Sequence, residues 1–320
     1  MSSPRVALAA LCTTGAVLLT GCSGDTSGES SSSGAASPSA DDGQVVVALD
    51  DFAALHALTL GVRPDLVLEV FEYESTSAIL DDLGVTTAPY GSELDVESVA
   101  AADPDVVIGV SIPTTVAAEE QLDAIAPTTV IDYAGSWDEQ LATVAGALDR
   151  DSEADAVVSR VEEQTAEVAA ALEDAGRAGA VASVVGDNSG FFSPPAATAV
   201  GSALAGVGLS RPAAQQAPGD STSPFVLFTA ETLPEQDGDV LFLLSGGPYA
   251  TDALTASPLW SSLSAVTGEA VHEVSGEVWL GSSAFSVSWV LDDVRAVLLD
   301  EGEPATSADA ASRFAEFTGA

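Results

Sequence analysis

Lysine is missing altogether from this 320-residue chain, and its few cations, eight arginines, stand against 49 acidic residues for a formal net charge of −41. A field of that sign repels phosphate backbones and anionic surfaces, which excludes nucleic acid as a partner. The excess is tolerable where salt shortens electrostatic screening to a few ångströms, and a saline setting is the plainest reading of it. Cysteine is nearly absent too. Cys12 and Cys22 both fall within the first 22 residues, so the body of the protein has no disulfide and is held by packing alone. Histidine occurs twice, at His56 and His272. A dedicated zinc or manganese receptor normally needs more imidazoles than that, and both rings read as hydrogen-bonded structural residues. The sequence has no Gly-x-Ser-x-Gly elbow, His-Glu-x-x-His pair, Walker loop or cysteine cluster, which leaves little for catalysis. Beyond the N-terminus no apolar run is long enough to cross a bilayer.

The N-terminus is informative. Arg5 precedes an apolar stretch from Val6 to Leu19 that ends in Leu19-Thr20-Gly21-Cys22. This pattern reads as a signal peptide over residues 1–21 and resembles a lipobox, with Cys22 as the lipidated residue of the mature chain. Two or more acyl chains there would hold the protein to the outer face of the cell membrane. Residues 22–43 are rich in Ser, Gly, Ala and Asp and carry no large apolar side chain, so they read as a flexible tether reaching about 25 Å on average.

Residues 44–320 are enough for two lobes. Apolar runs at 44–49, 66–70, 106–110 and 129–131 predict buried strands, separated by helices that start at Asp50-Asp51, at Val96 and at Thr114. That alternation predicts a parallel sheet covered on both faces, an N-terminal α/β lobe over 44–150. Val157, Val161, Thr165, Val168, Leu172 and Ala175 then recur at helical spacing up to Gly176. They predict a connecting helix over 151–177, about 37 Å long. Strand runs return at 180–186 and 240–244, with helices at 196–205 and 286–299, which predicts a C-terminal α/β lobe over 178–320.

The order of these segments resembles the periplasmic-binding-protein family that serves ABC importers of ferric siderophores, haem and cobalamin. The likeness is carried by residues 46–62, by 94–107 with Pro104-Asp105 before a strand, and by Ile125-Ala126-Pro127-Thr128. Further along it is carried by Glu231-Thr232-Leu233 with 237–242, by Ser257-Pro258-Leu259-Trp260, and by Val278-Trp279 with 290–294. The resemblance implies two Rossmann-like lobes joined by a rigid backbone helix, a monomer, no cofactor and no enzymatic activity. It also implies a ligand cleft between the lobes and an ABC permease as partner. An extracellular hydrolase is the rival class.

Ligands of such folds lie against the loops leaving the carboxyl ends of the strands. Those loops hold Phe71, Tyr73, Tyr90, Ser111, Tyr133 and Trp137 in the first half, and Asp187, Phe191, Phe192, Ser245, Tyr249, Trp279 and Phe285 in the second. Tyr90, Ser111, Trp137, Phe191, Phe192, Ser245, Trp279 and Phe285 are the candidate contacts, and the resemblance puts Trp279 at a cleft position. Only Arg63 and Arg211 are plausible cleft cations; Arg63, before Pro64, reads as solvated, which leaves Arg211. Receptors for anionic catecholates carry several basic residues, so a ferric siderophore of the hydroxamate type is the expected cargo, with cobalamin and haem as alternatives. The resemblance also implies one permease-docking glutamate per lobe, at Glu97 and Glu231. Both are read as beginning helices, where the helix dipole would favour an acid in any case.

Overall fold

The computed structural model describes residues 43–90, 94–196, 198–216 and 225–319. Val46–Ala48 (β1), Leu66–Glu69 (β2), Thr87–Pro89 (β3), Val106–Val110 (β4) and Thr128–Ile131 (β5) form an all-parallel sheet in the order β3-β2-β1-β4-β5. The central strands β1 and β4 are buried along their whole length, as continuous apolar runs require when helices cover both faces. The covering helices are α1 (Asp51–Thr59), α2 (Glu74–Asp82), α3 (Val96–Ala101), α4 (Pro113–Asp123) and α5 (Trp137–Leu148). Asp50 caps α1 by accepting from the Ala53 amide at 2.8 Å, and all nine residues of α1 are buried.

The predicted connecting helix is present as α6 (Asp151–Asp174), 24 residues that bury Ala154, Val157, Val161, Val168 and Leu172 along one stripe. Ala175 lies just past its end and is exposed. The second lobe holds Ala182–Asp187 (β6), Phe191–Ser193 (β7), Val226–Leu227 (β8), Val240–Ser245 (β9) and Val271–Ser275 (β10) in the order β10-β9-β6-β7-β8. Here β10, β9 and β6 run parallel, while β7 pairs antiparallel with β6 and with β8. Its helices are α7 (Ala199–Gly206), the one-turn α8 (Asp252–Thr255), α9 (Ser264–Thr267) and α10 (Gly276–Trp279), and then α11 (Ala284–Leu298) and α12 (Ala310–Thr318).

One element departs from the sequence reading. Residues 310–318 were expected to belong wholly to the second lobe, yet α12 packs against α2 of the first. Its Phe314 also meets Phe285 of α11 edge-on at 5.1 Å, so the helix touches both halves.

Candidate functional site

Parallel strands end where the chain must turn into a helix, and these turns gather the polar groups and aromatic rings of both lobes at one edge. After β1, Asp50 and Asp51 are buried side by side. Asp50 ties two strand ends together, with Oδ1 on the Ala53 amide and Oδ2 accepting from the Val110 amide at 2.7 Å. Asp51 reaches the loop after β2, where its Oδ2 accepts from the Val70 and Phe71 amides, both at 2.9 Å. Burial raises both carboxyls above their ordinary range, Asp50 to about 6.

The loop that Asp51 holds carries an aromatic cluster. Phe52 meets Phe71 edge-on at 5.0 Å and Tyr133 at 5.5 Å, and Phe71 stacks on Tyr73 at 5.4 Å. Tyr73 then meets the second lobe, its hydroxyl 3.5 Å from that of Tyr249. Beyond Tyr249 the rings continue through Phe192 at 6.1 Å to Phe225, 4.6 Å further on. Burial raises Tyr73, Tyr133 and Tyr249 above the ordinary phenol range, so all three are neutral phenols at physiological pH. The edge is therefore aromatic, hydroxyl-bearing and poor in cations.

Of the candidate contacts, Phe192 joins this cluster directly and Ser111 borders it, its Oγ accepting from the Tyr133 amide at 3.0 Å. Trp137 is half-buried at the start of α5. Ser245 ends β9 and donates to the Val274 carbonyl at 3.4 Å. Three expectations are corrected. Trp279 is fully buried in the second lobe, its Nε1 donating to Asp293 at 2.8 Å and its ring 4.7 Å from Phe242, because its helical turn faces the core. Tyr90 packs with Leu68, Val47 and Val99 on the outer side of the first sheet, and Phe191 packs on Phe228 and Leu233 on the corresponding side of the second. Phe285 lies against Trp289, Phe314 and Phe317. There it helps line a cavity of about 360 Å³ between α6, α11 and α12, and it also borders the small pocket lined by Asp51, Phe52, Tyr73 and Glu277 beside the cluster.

Arg211 is buried rather than open to a cleft. Its guanidinium donates to Gln215, to Ser193 Oγ at 2.8 Å and to the Pro194 carbonyl at 2.9 Å, while its Nη1 is buried without a partner. Ser193 follows Phe192 on β7, so Arg211 is tied to the residue next to a cluster ring. Arg63 is exposed, bonded to the Leu83 carbonyl. Glu97 is exposed on α3, capped by Asp95. Glu231 is exposed in a turn ahead of the 3₁₀ helix Leu233–Gln236, and so does not begin a helix as expected. Cys22 lies outside the described residues.

Sequence reasoning missed three residues: Phe52, Asp51 as a loop anchor, and Glu277. Phe52 and Asp51 follow the first strand directly, so the strand-end rule applied to β1 would have found them. Glu277 carries no such signal. Among the described residues no group of three or more His, Cys, Asp or Glu side chains converges to hold a metal.

Residues 46–274 match the family model described as periplasmic binding protein. The chain belongs to this family. A curated relative, the probable siderophore-binding lipoprotein YfiY of Bacillus subtilis, is 26% identical over 79% of this chain and 82% of its own length. Among solved structures, the siderophore periplasmic binding protein from the fuscachelin gene cluster of Thermobifida fusca is 26% identical, with a TM-score of 0.64 over 80% of this chain and 96% of its own. FhuD2 of Staphylococcus aureus with bound ferrioxamine B shares the fold at 21% identity, with a TM-score of 0.68 over 80% of this chain and 98% of its own. The family is one of substrate-binding proteins, and the binding protein has two α/β lobes joined by α6.

Behind the aromatic edge, the binding protein's His56 on α1 faces Gln140 on α5 at 3.3 Å, and Gln140 Oε1 also accepts from Ser282 of the second lobe at 3.0 Å. Since that oxygen accepts, His56 carries its proton on Nε2, and Nδ1 is buried without a partner. Burial depresses the ring to about 4. The stability that neutral His56 contributes is present above its unfolded value of 6.5 and is lost as pH falls through about 4, on the order of 3 kcal/mol in all. Asp50 acts with the opposite sign: its contribution is full below 3.8 and lost as pH rises through about 6. Denaturant unfolding of wild type and His56→Leu between pH 7 and 4.5 is expected to show the difference between the two shifting in the variant's favour as pH falls. A constant difference would mean that the ring charges without cost.

Proposed function

We propose that this chain is the substrate-binding lipoprotein of an ABC importer, capturing a ferric siderophore of the hydroxamate type between its lobes and delivering it to the permease. The observation that carries this reading is the aromatic cluster at the strand ends, bridged by Tyr73 and Tyr249 and bordered by neutral phenols rather than cations. A hexadentate ferric hydroxamate fills the metal's coordination sphere itself and presents an apolar periphery with carbonyl oxygens. Aromatic faces and phenol hydroxyls suit that surface. Phenols held neutral by burial are poor ligands for bare ferric ion, which supports capture of an intact chelate. The relatives' names point the same way, and FhuD2 holds ferrioxamine B in a fold of this kind.

Charge favours the hydroxamate over the catecholate. A trianionic catecholate would meet a cluster flanked by the buried acids Asp50, Asp51 and Glu277, while Arg211, the one buried arginine among the described residues, is already bonded to Gln215, Ser193 and Pro194. Haem would ask for an axial imidazole, and of the two histidines His56 is buried within α1 while His272 lies half-buried on β10. Lipidation of Cys22 would keep the protein at the extracytoplasmic face, and Glu97 and Glu231, both exposed, would meet arginines of the permease.

The test is tryptophan quenching across a panel of ferric hydroxamates, ferric catecholates, haem and cobalamin, with Trp137 as the half-buried reporter near the cluster. Saturable quenching is expected, tighter for ferrioxamine B than for a ferric tris-catecholate by roughly tenfold or more, since unpaired buried charge costs at least that much. Silence across the panel, or tighter binding of the catecholate, would refute the assignment.

A further inference from the structure

The contact that joins the lobes beside the aromatic cluster is made by a side chain with no assigned role. Glu277 sits in the one-turn helix α10, two residues past the end of β10 in the second lobe, and is buried. Its carboxylate crosses to the first lobe. Oε2 accepts from the Ser75 amide at 3.0 Å and Oε1 from the Glu74 amide at 3.4 Å. These are the first two amides of α2. The helix has no cap of its own, because its N-cap residue is Tyr73, whose side chain makes no capping bond. Ser75 and Thr76 are buried, so water cannot readily take the place of a cap, and a buried helix start without acceptors is costly. The acceptor that α2 lacks in its own lobe comes from the other one. A carboxylate is suited to the place, since it also meets the positive end of the helix dipole.

The second lobe is shaped to hold this carboxylate. The turn after β9 runs through Gly246 and Gly247, both at positive φ, and a side chain at Gly247 would overlap Glu277. A side chain at Gly276 would overlap the ring of Tyr249. Tyr249 therefore lies directly on the backbone that carries Glu277, and Tyr73 directly precedes the amides that Glu277 binds. One carboxylate thus fixes both partners of the 3.5 Å hydroxyl pair across the lobes.

We propose that Glu277 is an interlobe clasp, a positioning residue that caps α2 from the opposite lobe and thereby sets the spacing of Tyr73 and Tyr249. The clasp itself is independent of the cargo; its effect on release rests on the siderophore reading above. Releasing it frees the first turn of α2 and loosens the turn at Gly246–Tyr249 together, so ligand escapes faster while the fold persists.

The experiment is amide hydrogen exchange on the ligand-free protein, paired with stopped-flow dissociation of ferrioxamine B. In Glu277→Ala, exchange at Glu74, Ser75 and the 246–249 turn is expected to accelerate by roughly tenfold or more, with protection in β4 and β9 unchanged. Dissociation is expected to quicken by about the same factor, because interface losses appear mainly in the off-rate. Glu277→Gln keeps one carbonyl oxygen for the Ser75 amide and should fall between the two; it also serves if the alanine variant does not fold. Glu269→Ala, at an exposed acid of the same lobe, should match wild type. Unchanged exchange at Glu74 and Ser75 in both variants would overturn the clasp. Faster exchange there with an unaltered 246–249 turn would overturn the coupling between lobes. If wild type bound no siderophore, the cargo assignment would fall while the exchange results still judged the clasp.

Discussion

Replacing Trp279 by alanine is expected to cost about 3–5 kcal/mol of folding stability, the range for emptying a large aromatic from a closed core. Trp279 is fully buried on Phe242, and its indole N–H is one of the donors that make a buried carboxylate tolerable. Asp293 is fully buried as well. Its Oδ1 accepts from the Ala305 amide at 3.0 Å, and Arg313 stands 3.6 Å away. Burial already lifts this carboxyl to about 6, and loss of the indole donor would lift it further. Trp279→Phe keeps most of the ring but strands the same oxygen, so an intermediate loss is expected. Urea or guanidinium unfolding monitored by circular dichroism measures both. A loss under about 1 kcal/mol for the alanine variant would mean that the side chain is not packed as described.

In a cell that depends on this protein for iron, Glu97→Ala combined with Glu231→Ala is expected to abolish uptake while leaving ferrioxamine B affinity within about twofold of wild type, because charge pairs at a rim set orientation and on-rate on a partner rather than cleft chemistry. Both carboxylates are exposed, one on each lobe. A hydrogen bond from Thr229 holds the Glu231 carboxyl below its ordinary range, so it is fully ionised at neutral pH. In so acidic a chain, general attraction has to be separated from a specific pair. The control is therefore Glu119→Ala with Glu269→Ala, an equal loss of charge at exposed sites elsewhere on the two lobes, expected to transport normally. Uptake by the Glu97/Glu231 variant at normal surface abundance would assign both residues to local structure alone.

The sequence disclosed what depends on long runs. β4 is predicted at the residues where it occurs, and β1, β2, β6 and β9 within a few, because strands buried on both faces are written as unbroken apolar segments. α6 was legible from its stripe for the same reason. Short and lightly covered elements were not. Thr87–Pro89 and Val226–Leu227 are three- and two-residue edge strands, too brief to show a period. Glu74–Asp82 is mostly polar, and what makes it a helix is its burial against α12 and its cap from Glu277, both from distant sequence. The site divides along the same line. Phe192, Tyr73 and Tyr249 follow from the rule that ligands gather at strand ends, whereas Trp279, equally near such an end in sequence, turns inward. Which way an aromatic points within a single helical turn depends on the opposite wall of the core, and no local pattern records that.

The return of α12 to the first lobe orders the assembly of the molecule in time. α2 is synthesised at residues 74–82 but is covered only when residues 310–318 arrive, and its capping carboxylate waits until residue 277. The first lobe thus passes a long interval with one helix bare, and the second lobe completes its neighbour as well as itself. The contacts of the first lobe are therefore complete only once the whole chain is present. Cutting it at residue 305 would leave a first lobe with an exposed flank, and a partner fused closely behind residue 318 would sit on the seam where the two halves are joined.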